Sequence, residues 1–541
     1  MAGGTSGPAT EAPDADERTD GDTRAAPAAP GPAGSPARLW AGRAVVVATV
    51  AVAAAVLLAA GRGVATERIA GQWQLVDLDV LGDDPLGSVW HLHTQPPGYN
   101  LLVGLLIWSP LPLPGTLYAL NLAALAGTGL LLHDLLVRWG RGPLVAAAIV
   151  AVALLDPSLL SALHWGHYEI LVAFLLVAVL SCTVRFLERP GARWLLATAA
   201  VATLCGLLRS LFHPVWVLAV VATLLALRPV PRRHAALALG LPVAVLGGWM
   251  LKNAVVFGTP TTSSWLGFNL QRGVVAAMAA DDVRDAVDRG RVSPLALEYP
   301  WGRIEQYERW VGDCDPHDHP ATAAPTKDAG GLVLANFNHE CFLPVYRQAQ
   351  DDAVRLVRDH PGRYLSTRLH GLVMTYHTSP TSSASTPTVI DRLYRPLLAT
   401  ATITLSEGDW NLPFLMPVVG TEDVPVSLSL LGLSLFVVAR GGVAAVRLAR
   451  AGWGARATWS PHEVAWALAA ATVLFVVVGG SAIEYGENGR FRSSLDPLLV
   501  TLPAAWVAGR VSARRRARVG AAGAQTAGCS TTVPDASRST S

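Results

Sequence analysis

Charged residues are scarce in this sequence. Asp, Glu, Lys and Arg make up 15% of the 541 residues, whereas hydrophobic residues make up 51%. Soluble globular proteins carry about 25% charged residues, so this chain has too little polar surface to face water on all sides. The shortage excludes a cytosolic enzyme, a disordered chain and a secreted disulfide scaffold. The formal net charge of +2 gives no global case for nucleic-acid binding.

Cysteines are also few, and no leader or nucleotide motif is visible. The five cysteines are too scattered for a disulfide framework or a metal cluster. Cys314 and Cys341 could pair in an oxidising compartment or remain two thiols. No cleavable signal pattern precedes the first apolar stretch, and we expect 1–38 and 513–541 to be disordered cytoplasmic tails. Without a Gly-rich phosphate loop, no nucleotide cofactor is expected.

Long apolar runs dominate the remainder. A spanning helix needs about 20 mostly apolar residues, and ten segments qualify or come close: roughly 41–61, 116–137, 143–163, 168–187, 193–212, 213–229, 235–257, 425–447, 463–483 and 493–511. The connections after every second helix carry Lys or Arg, which the positive-inside rule places in the cytoplasm. The sequence predicts an all-α, multi-pass cell-membrane protein whose membrane domain covers 39–512, with both termini cytoplasmic.

The opposite side then receives two long segments, a first outside loop over 62–115 and an insert over 258–424. In the loop, the Pro96-Pro97 pair can begin a helix. Too few apolar residues follow it to cross a bilayer, so we expect a short helix in the outer leaflet. In the insert, the stretch from Val345 to Tyr376 is amphipathic and predicts a helix lying on the membrane surface.

Four stretches carry a family resemblance. They are an acidic residue beyond the first helix with His93-Thr-Gln95-Pro96-Pro97-Gly-Tyr-Asn100, then Trp249-Met-Leu-Lys252-Asn253 with Ser263-Ser264-Trp-Leu-Gly267-Phe-Asn269, then His360-Pro361-Gly-Arg363-Tyr364-Leu365, and finally Glu487-Asn488-Gly-Arg490-Phe491-Arg492 with Asp496-Pro497. In this order they resemble the polytopic glycosyltransferases of GT-C fold that use lipid-linked sugars, which include the protein O-mannosyltransferases and the aminoarabinose transferases.

The resemblance implies a reaction and its partners. A sugar would move, with inversion, from a polyprenyl-phosphate donor to a hydroxyl of a protein, lipid or glycan acceptor on the extracytoplasmic side. The active site would lie between the first loop, the insert and the start of the last helix. The donor tail would enter from the bilayer, and no nucleic acid is involved.

The family's catalytic acid lies in the first loop, which maps to Asp77 or Asp79. Asp77 is preferred because an Asp there, followed by Val80-Leu81, is closer to the family's pattern. A carboxylate of this kind accepts the acceptor's proton. The alternative is that both are solvated loop carboxylates. Some relatives use a divalent metal such as Mg²⁺ or Mn²⁺, and Asp77-Leu-Asp79 could hold one, although the spacing is not specific.

Cationic side chains would hold the departing phosphate. The candidates are Arg209, His213, Arg490, Arg492 and His93. Arg209 and His213 are four residues apart, which predicts a shared helix face. Arg490 and Arg492 lie on the side that the positive-inside rule disfavours, which a phosphate clamp would explain. Alternatively, Arg490 and Arg492 form an ion pair with Glu484 or Glu487. The alternative for His93 is an ordinary loop histidine whose hydrogen bonds are satisfied within the protein.

Further polar residues are assigned to substrate binding: Glu169, His167, Gln95, Asn269 and Glu487. His167 and Glu169 belong to the outer turn between two spans, with Glu169 expected to accept hydrogen bonds behind the contacting side chains. The alternative for this turn is an interfacial aromatic belt.

Two other functions compete with the glycosyltransferase. A transporter or lipid flippase predicts charges in the middle of spans, and the helix centres are almost free of them. A catalytically inactive scaffold with the GT-C fold would tolerate the loss of Asp77 and Asp79.

Overall fold

The computed structural model describes residues 35–275, 278, 280–312, 314–377, 387–404 and 423–528. It is mostly helical, at 74%, with two small antiparallel sheets of two strands each in the described residues. The prediction of an all-α membrane protein is confirmed at this level, because several helices are apolar enough to cross a bilayer.

Six helices are long and apolar enough to span by length and composition: Pro36–Ala59, Leu113–Arg138, Glu169–Glu188, Arg232–Phe257, Leu428–Arg450 and Pro461–Ile483. A seventh span results if the bent pair Pro143–Leu154 and Pro157–Trp165 is counted as one. The other three predicted segments correspond to Ala192–Leu208, Pro214–Leu227 and Asp496–Gly528, which are not among these candidates. The number of ten spanning helices therefore stays a prediction. The last helix continues to Gly528, although we expected a disordered tail from residue 513.

The bend in the seventh span has a local cause. The two helices meet at 58°, and Pro157 occupies the first turn of the second one. Asp156 is fully buried, and its carboxylate accepts hydrogen bonds from the backbone N–H groups of Ser158 and Leu159 at 2.8 and 3.2 Å. This N-cap satisfies donors that the break would otherwise leave unpaired.

Helix packing brings the loops together at one end of the bundle. Leu113–Arg138 packs on Pro36–Ala59 and Glu169–Glu188, and Leu428–Arg450 packs on Pro461–Leu474. Gly441 permits the second contact, since a Cβ there would lie 2.2 Å from the Ala470 Cβ. Two spans contain a π-helical turn, Val243–Gly247 and Phe475–Gly479, and the second of these spans ends in the short helix Gly480–Ile483. The short helices Trp453–Thr458 and Asn488–Ser493 lie in the connections before and after it.

The first loop folds into four short helices, Thr66–Ala70, Leu78–Asp83, Pro85–Trp90 and Pro97–Ile107. The last of these confirms the predicted short helix after the proline pair, with Pro97 in its first turn. Its fixed φ angle and missing N–H group suit that position.

The insert is a small folded unit. In the residues that the structure describes, its helices are Leu266–Val275, Ala280–Asp288, Pro294–Leu297, Ile304–Tyr307, Glu308–Val311, Pro320–Ala323, Phe342–Asp359, Pro361–Thr375 and Val389–Leu398. Strand Thr326–Asp328 pairs with Val333–Ala335, with Thr326 opposite Ala335, and Thr400–Thr404 pairs with Asp423–Ser427, with Thr400 opposite Ser427. Cys314 and Cys341 form a disulfide, which resolves that alternative in favour of pairing.

The amphipathic stretch of the insert differs from the expectation. It is divided at His360 into Phe342–Asp359 and Pro361–Thr375. The first of these helices buries its apolar face against Leu266–Val275, so the expectation of one continuous surface helix is wrong. The second helix exposes Leu365 and Leu369, which suits contact with lipid.

Candidate functional site

A cavity of about 570 Å³ lies where the first loop, the insert and the ends of several helices meet. Five separate parts of the chain line it: 67–74 with Gln95, 165–168, 209–211, the insert, and 483–491. Six residues predicted from the sequence are in its wall: Gln95, His167, Arg209, Asn269, Glu487 and Arg490. Residues up to several hundred positions apart therefore share one space of the size that small-molecule sites have.

Four arginines line this cavity. Arg68 of the first loop has its Nη1 2.8 Å from the His164 Nδ1, and the other three come from elements further along the chain. Arg209 follows the helix Ala192–Leu208, Arg272 belongs to Leu266–Val275, and Arg490 belongs to Asn488–Ser493. The Arg209 Nη1 lies 3.5 Å from the Arg490 carbonyl oxygen, and its guanidinium lies 4.1 Å from the centre of the Phe491 ring. Burial lowers the pKa of Arg272. Buried guanidinium groups are suited to binding an anion.

Glu169 holds two of these arginines from behind the cavity. Its side chain is 1% exposed, and the Arg490 Nε and Nη2 donate to its Oε1 at 3.0 and 2.8 Å. The Arg209 Nη1 lies 3.7 Å from the same oxygen, and the His167 Nδ1 lies 3.6 Å from Oε2. Glu169 does not line the cavity, so it lies behind Arg490, Arg209 and His167, which do. Burial, together with the charge of Arg490, lowers the pKa of His167 to about 4.

Two further carboxylates of the wall are paired with arginine. The Glu487 Oε2 accepts from the Arg490 Nη1 at 2.7 Å, and Glu484 pairs with Arg272. Burial opposes ionisation of Glu487, but the charges of Arg490 and Arg272 lower its pKa overall. The ion pair that we considered for Arg490 is therefore present, and Glu487 is both its partner and a cavity residue.

Tryptophans and amides form another part of the wall: Trp73, Trp165, Trp265, Trp301, Gln72, Gln74, Gln95 and Asn269. The indole N–H group of Trp301 is buried and has no hydrogen-bond partner among the residues that the structure describes. Trp301 has a φ angle of +79°, a rare and strained conformation for a bulky residue. Unpartnered donors and local strain both occur preferentially at binding sites.

Asp77 and Asp79 lie outside this wall. Asp77 caps the helix Leu78–Asp83: its Oδ1 accepts from the Asp79 N–H at 2.9 Å, and its Oδ2 accepts from the Asp328 N–H of the insert at 2.9 Å. Asp79 is exposed. Within the described residues, no group of three or more His, Cys, Asp or Glu side chains is arranged to hold a metal. Asp77 and Asp79 therefore do not form a site that fits the Mg²⁺ or Mn²⁺ ion considered above.

His93 lies beside the cavity wall and ties the first loop to the insert. It is 1% exposed, with its Nδ1 2.8 Å from the Ser264 Oγ and its Nε2 3.0 Å from the Asn338 carbonyl oxygen. A neutral imidazole satisfies both groups, because Nε2–H donates to the carbonyl and Nδ1 accepts from the hydroxyl. Burial lowers the pKa of His93 to about 3. This geometry matches the alternative of a hydrogen-bonded loop histidine.

The pKa of His93 predicts a loss of stability in acid. The unfolded chain binds a proton at the ordinary value of 6.5, whereas the folded chain does so only near pH 3. The free energy of unfolding therefore falls by about 1.4 kcal/mol per pH unit as the pH decreases through this range. Thermal unfolding of His93→Gln should show a flatter pH dependence, and His360→Gln should not. Identical profiles for His93→Gln and wild type would refute this.

His213 and Arg492 also lie away from the cavity. The expectation that Arg209 and His213 share a helix face is wrong, since one helix ends at Leu208 and the next begins at Pro214. His213 is exposed and caps the second helix by accepting from the Val215 N–H at 3.4 Å. Arg492 is fully buried, 3.4 Å from the Asp496 carboxylate and 3.1 Å from the Ser158 hydroxyl.

Comparison with known proteins gives no further guide to the function. No family model, curated protein or solved structure matches this chain.

The sequence analysis missed Glu67, which lines the cavity from the helix Thr66–Ala70. It is the first acidic residue after the helix Pro36–Ala59, which was the available signal. Its side chain is exposed and makes no hydrogen bond or ion pair with any residue that the structure describes. Among the three carboxylates of the wall, Glu67 is the one without an arginine partner.

Proposed function

We propose that this protein is an integral-membrane glycosyltransferase that moves a sugar from a polyprenyl-phosphate donor to an acceptor hydroxyl within the cavity. The observation that carries the proposal is the composition of the wall, in which four arginines, Arg68, Arg209, Arg272 and Arg490, adjoin tryptophans and amides. Guanidinium groups bind phosphate through paired N–H donors. Indole rings and amides offer apolar faces and hydrogen bonds, which suit a sugar ring.

Glu67 is the proposed base, in place of Asp77 and Asp79. Both oxygens of Asp77 accept backbone hydrogen bonds, and Asp79 is exposed outside the cavity, whereas Glu67 faces the cavity unpaired. It would take the proton from the acceptor hydroxyl as that oxygen bonds to the anomeric carbon. The bond from this carbon to the phosphate oxygen breaks in the same step, which inverts the configuration. Arg209, Arg272 and Arg490 would then stabilise the charge on the departing polyprenyl phosphate.

The proposal includes a finer fold assignment, a GT-C-like arrangement of ten spans with cytoplasmic termini and an extracytoplasmic cavity. Support comes from the segments that line the cavity, which are the first loop, the insert and residues 483–491 just before the last helix. The family resemblance implies an active site between the first loop, the insert and the start of the last helix. Arg138 and Arg185 lie near the ends of their spans opposite to the cavity, as the positive-inside rule requires for that orientation.

The function is tested by supplying donors to membranes that carry the full chain. We expect one member of a panel of radiolabelled polyprenyl-phosphate sugars to lose its sugar to an acceptor, with release of polyprenyl phosphate. Membranes without the protein are the control. Movement of an intact donor across the bilayer would instead favour a flippase, and binding without reaction would favour an inactive scaffold.

A further inference from the structure

A second cavity, of about 690 Å³, lies at the opposite end of the bundle. It is formed near the beginning of Pro36–Ala59 and the ends of Leu113–Arg138 and Glu169–Glu188. The first of these helices is long enough to cross a bilayer, and its far end leads into the first loop. The two cavities share no lining residue, so the second one is a separate site.

Three arginines converge on one carboxylate in this cavity. Asp134 lies 4.0 Å from Arg43, 3.0 Å from Arg138 and 2.6 Å from Arg185. Glu188 adds a second carboxylate, 3.1 Å from Arg138. Three cations thus share two anions, which leaves a net positive charge. The distance from Arg43 to Asp134 exceeds a hydrogen bond, so the Arg43 guanidinium keeps donors for another acceptor.

The remaining walls are apolar and face outward. Val47 and Trp40 lie on the same helix as Arg43 and are 47% and 65% exposed, and Leu131 lies on the neighbouring helix. The Arg43 guanidinium lies 5.1 Å from the centre of the Trp40 ring. Tryptophan is enriched at the level of lipid headgroups, and basic pockets between spanning helices bind anionic headgroups.

We propose that this cavity binds a phospholipid with an anionic headgroup. The phosphate would accept hydrogen bonds from Arg43 and Arg138, and an acyl chain would lie along Val47 and Leu131. Charge complementarity favours an anionic lipid over a zwitterionic one, because the cavity carries more arginines than carboxylates. This site is independent of the proposed sugar transfer.

The test is native mass spectrometry of the full chain, purified in detergent with equal amounts of phosphatidylglycerol and phosphatidylcholine. We expect the wild type to retain phosphatidylglycerol preferentially. Arg43→Gln and Arg138→Gln should each weaken that binding about fivefold, since one basic residue near an anionic lipid contributes on the order of 1 kcal/mol. Arg450→Gln, an exposed arginine at the same end of the bundle, should leave it unchanged.

Asp134→Asn separates lipid binding from a structural role of the ion pairs. Removing this charge leaves three arginines with one carboxylate, so phosphatidylglycerol should bind more tightly, again by about fivefold. If the ion pairs of Asp134 had only a structural role, Asp134→Asn would not bind phosphatidylglycerol more tightly. The proposal is overturned by unchanged or weaker binding in a folded Asp134→Asn, by equal retention of both lipids, or by displacement of the lipid with glycerol phosphate at similar concentration, which would mean that phosphate alone is recognised.

Discussion

Replacing Glu67 with glutamine is expected to slow sugar transfer strongly while the donor still binds. The substitution keeps the size and the hydrogen-bonding capacity of the side chain but removes its ability to take up a proton. General-base catalysis contributes about 10² to 10⁴-fold to a rate, so the turnover number should fall by that factor. Donor affinity should change little, because the phosphate would contact the arginines instead.

The measurement compares the initial rate of sugar transfer with equilibrium binding of the same donor. Glu308→Gln is the matched control, since this exposed glutamate of the insert lies outside the cavity. The comparison also decides between Glu67 and the assignment made from the sequence. If Asp77→Asn or Asp79→Asn lost transfer at unchanged stability and Glu67→Gln did not, the base would belong to the first-loop pair and the cavity argument would fail.

The other two carboxylates of the cavity are less suited to this role. Glu484 and Glu487 each pair with an arginine, and a carboxylate held by a guanidinium is a weaker base. The pKa of Glu487 is lowered by the charges of Arg490 and Arg272. These two residues therefore serve better to hold the arginines in place than to accept a proton.

Hydrophobic patterns were sufficient for the parts of the fold that depend on local sequence. The apolar runs predicted the positions of the long helices, and Pro96-Pro97 predicted the short helix Pro97–Ile107. The insert could not be predicted in this way. Its amphipathic segment packs on Leu266–Val275, and an apolar helix face does not reveal whether lipid or protein covers it.

Residues of the cavity wall were predictable where their position at the end of a predicted helix was sufficient, as for Arg209, His167 and Glu487. The assignment of Asp77 depended on information that the local sequence lacks. Its second hydrogen bond comes from Asp328 of the insert, and this partner is known only after folding. The sequence gives no sign that both carboxylate oxygens of Asp77 are already engaged.

Arg490 and Arg492 show the same limit within a single turn. Both belong to the helix Asn488–Ser493, and residues two apart on a helix point in different directions. Arg490 faces the cavity, whereas Arg492 points to the buried Asp496. The motif brings two arginines near the cavity, and because of the helix geometry only Arg490 of this pair lines it.

Replacing Arg209 with glutamine is expected to cost both donor affinity and transfer. Arg490 is held by two carboxylates, but Arg209 meets Glu169 only at 3.7 Å, so its donors are the freer ones for a phosphate.

Loss of one group that stabilises developing charge lowers rates by about 10² to 10³-fold, and kcat/KM should fall by that factor. Arg209→Lys should recover only part of it, because an ammonium keeps the charge but not the paired N–H geometry. Arg284→Gln, exposed in the insert, is the control. Unchanged donor affinity in Arg209→Gln would remove Arg209 from the phosphate site, and an equal loss in Arg209→Lys and Arg209→Gln would show that geometry rather than charge is required.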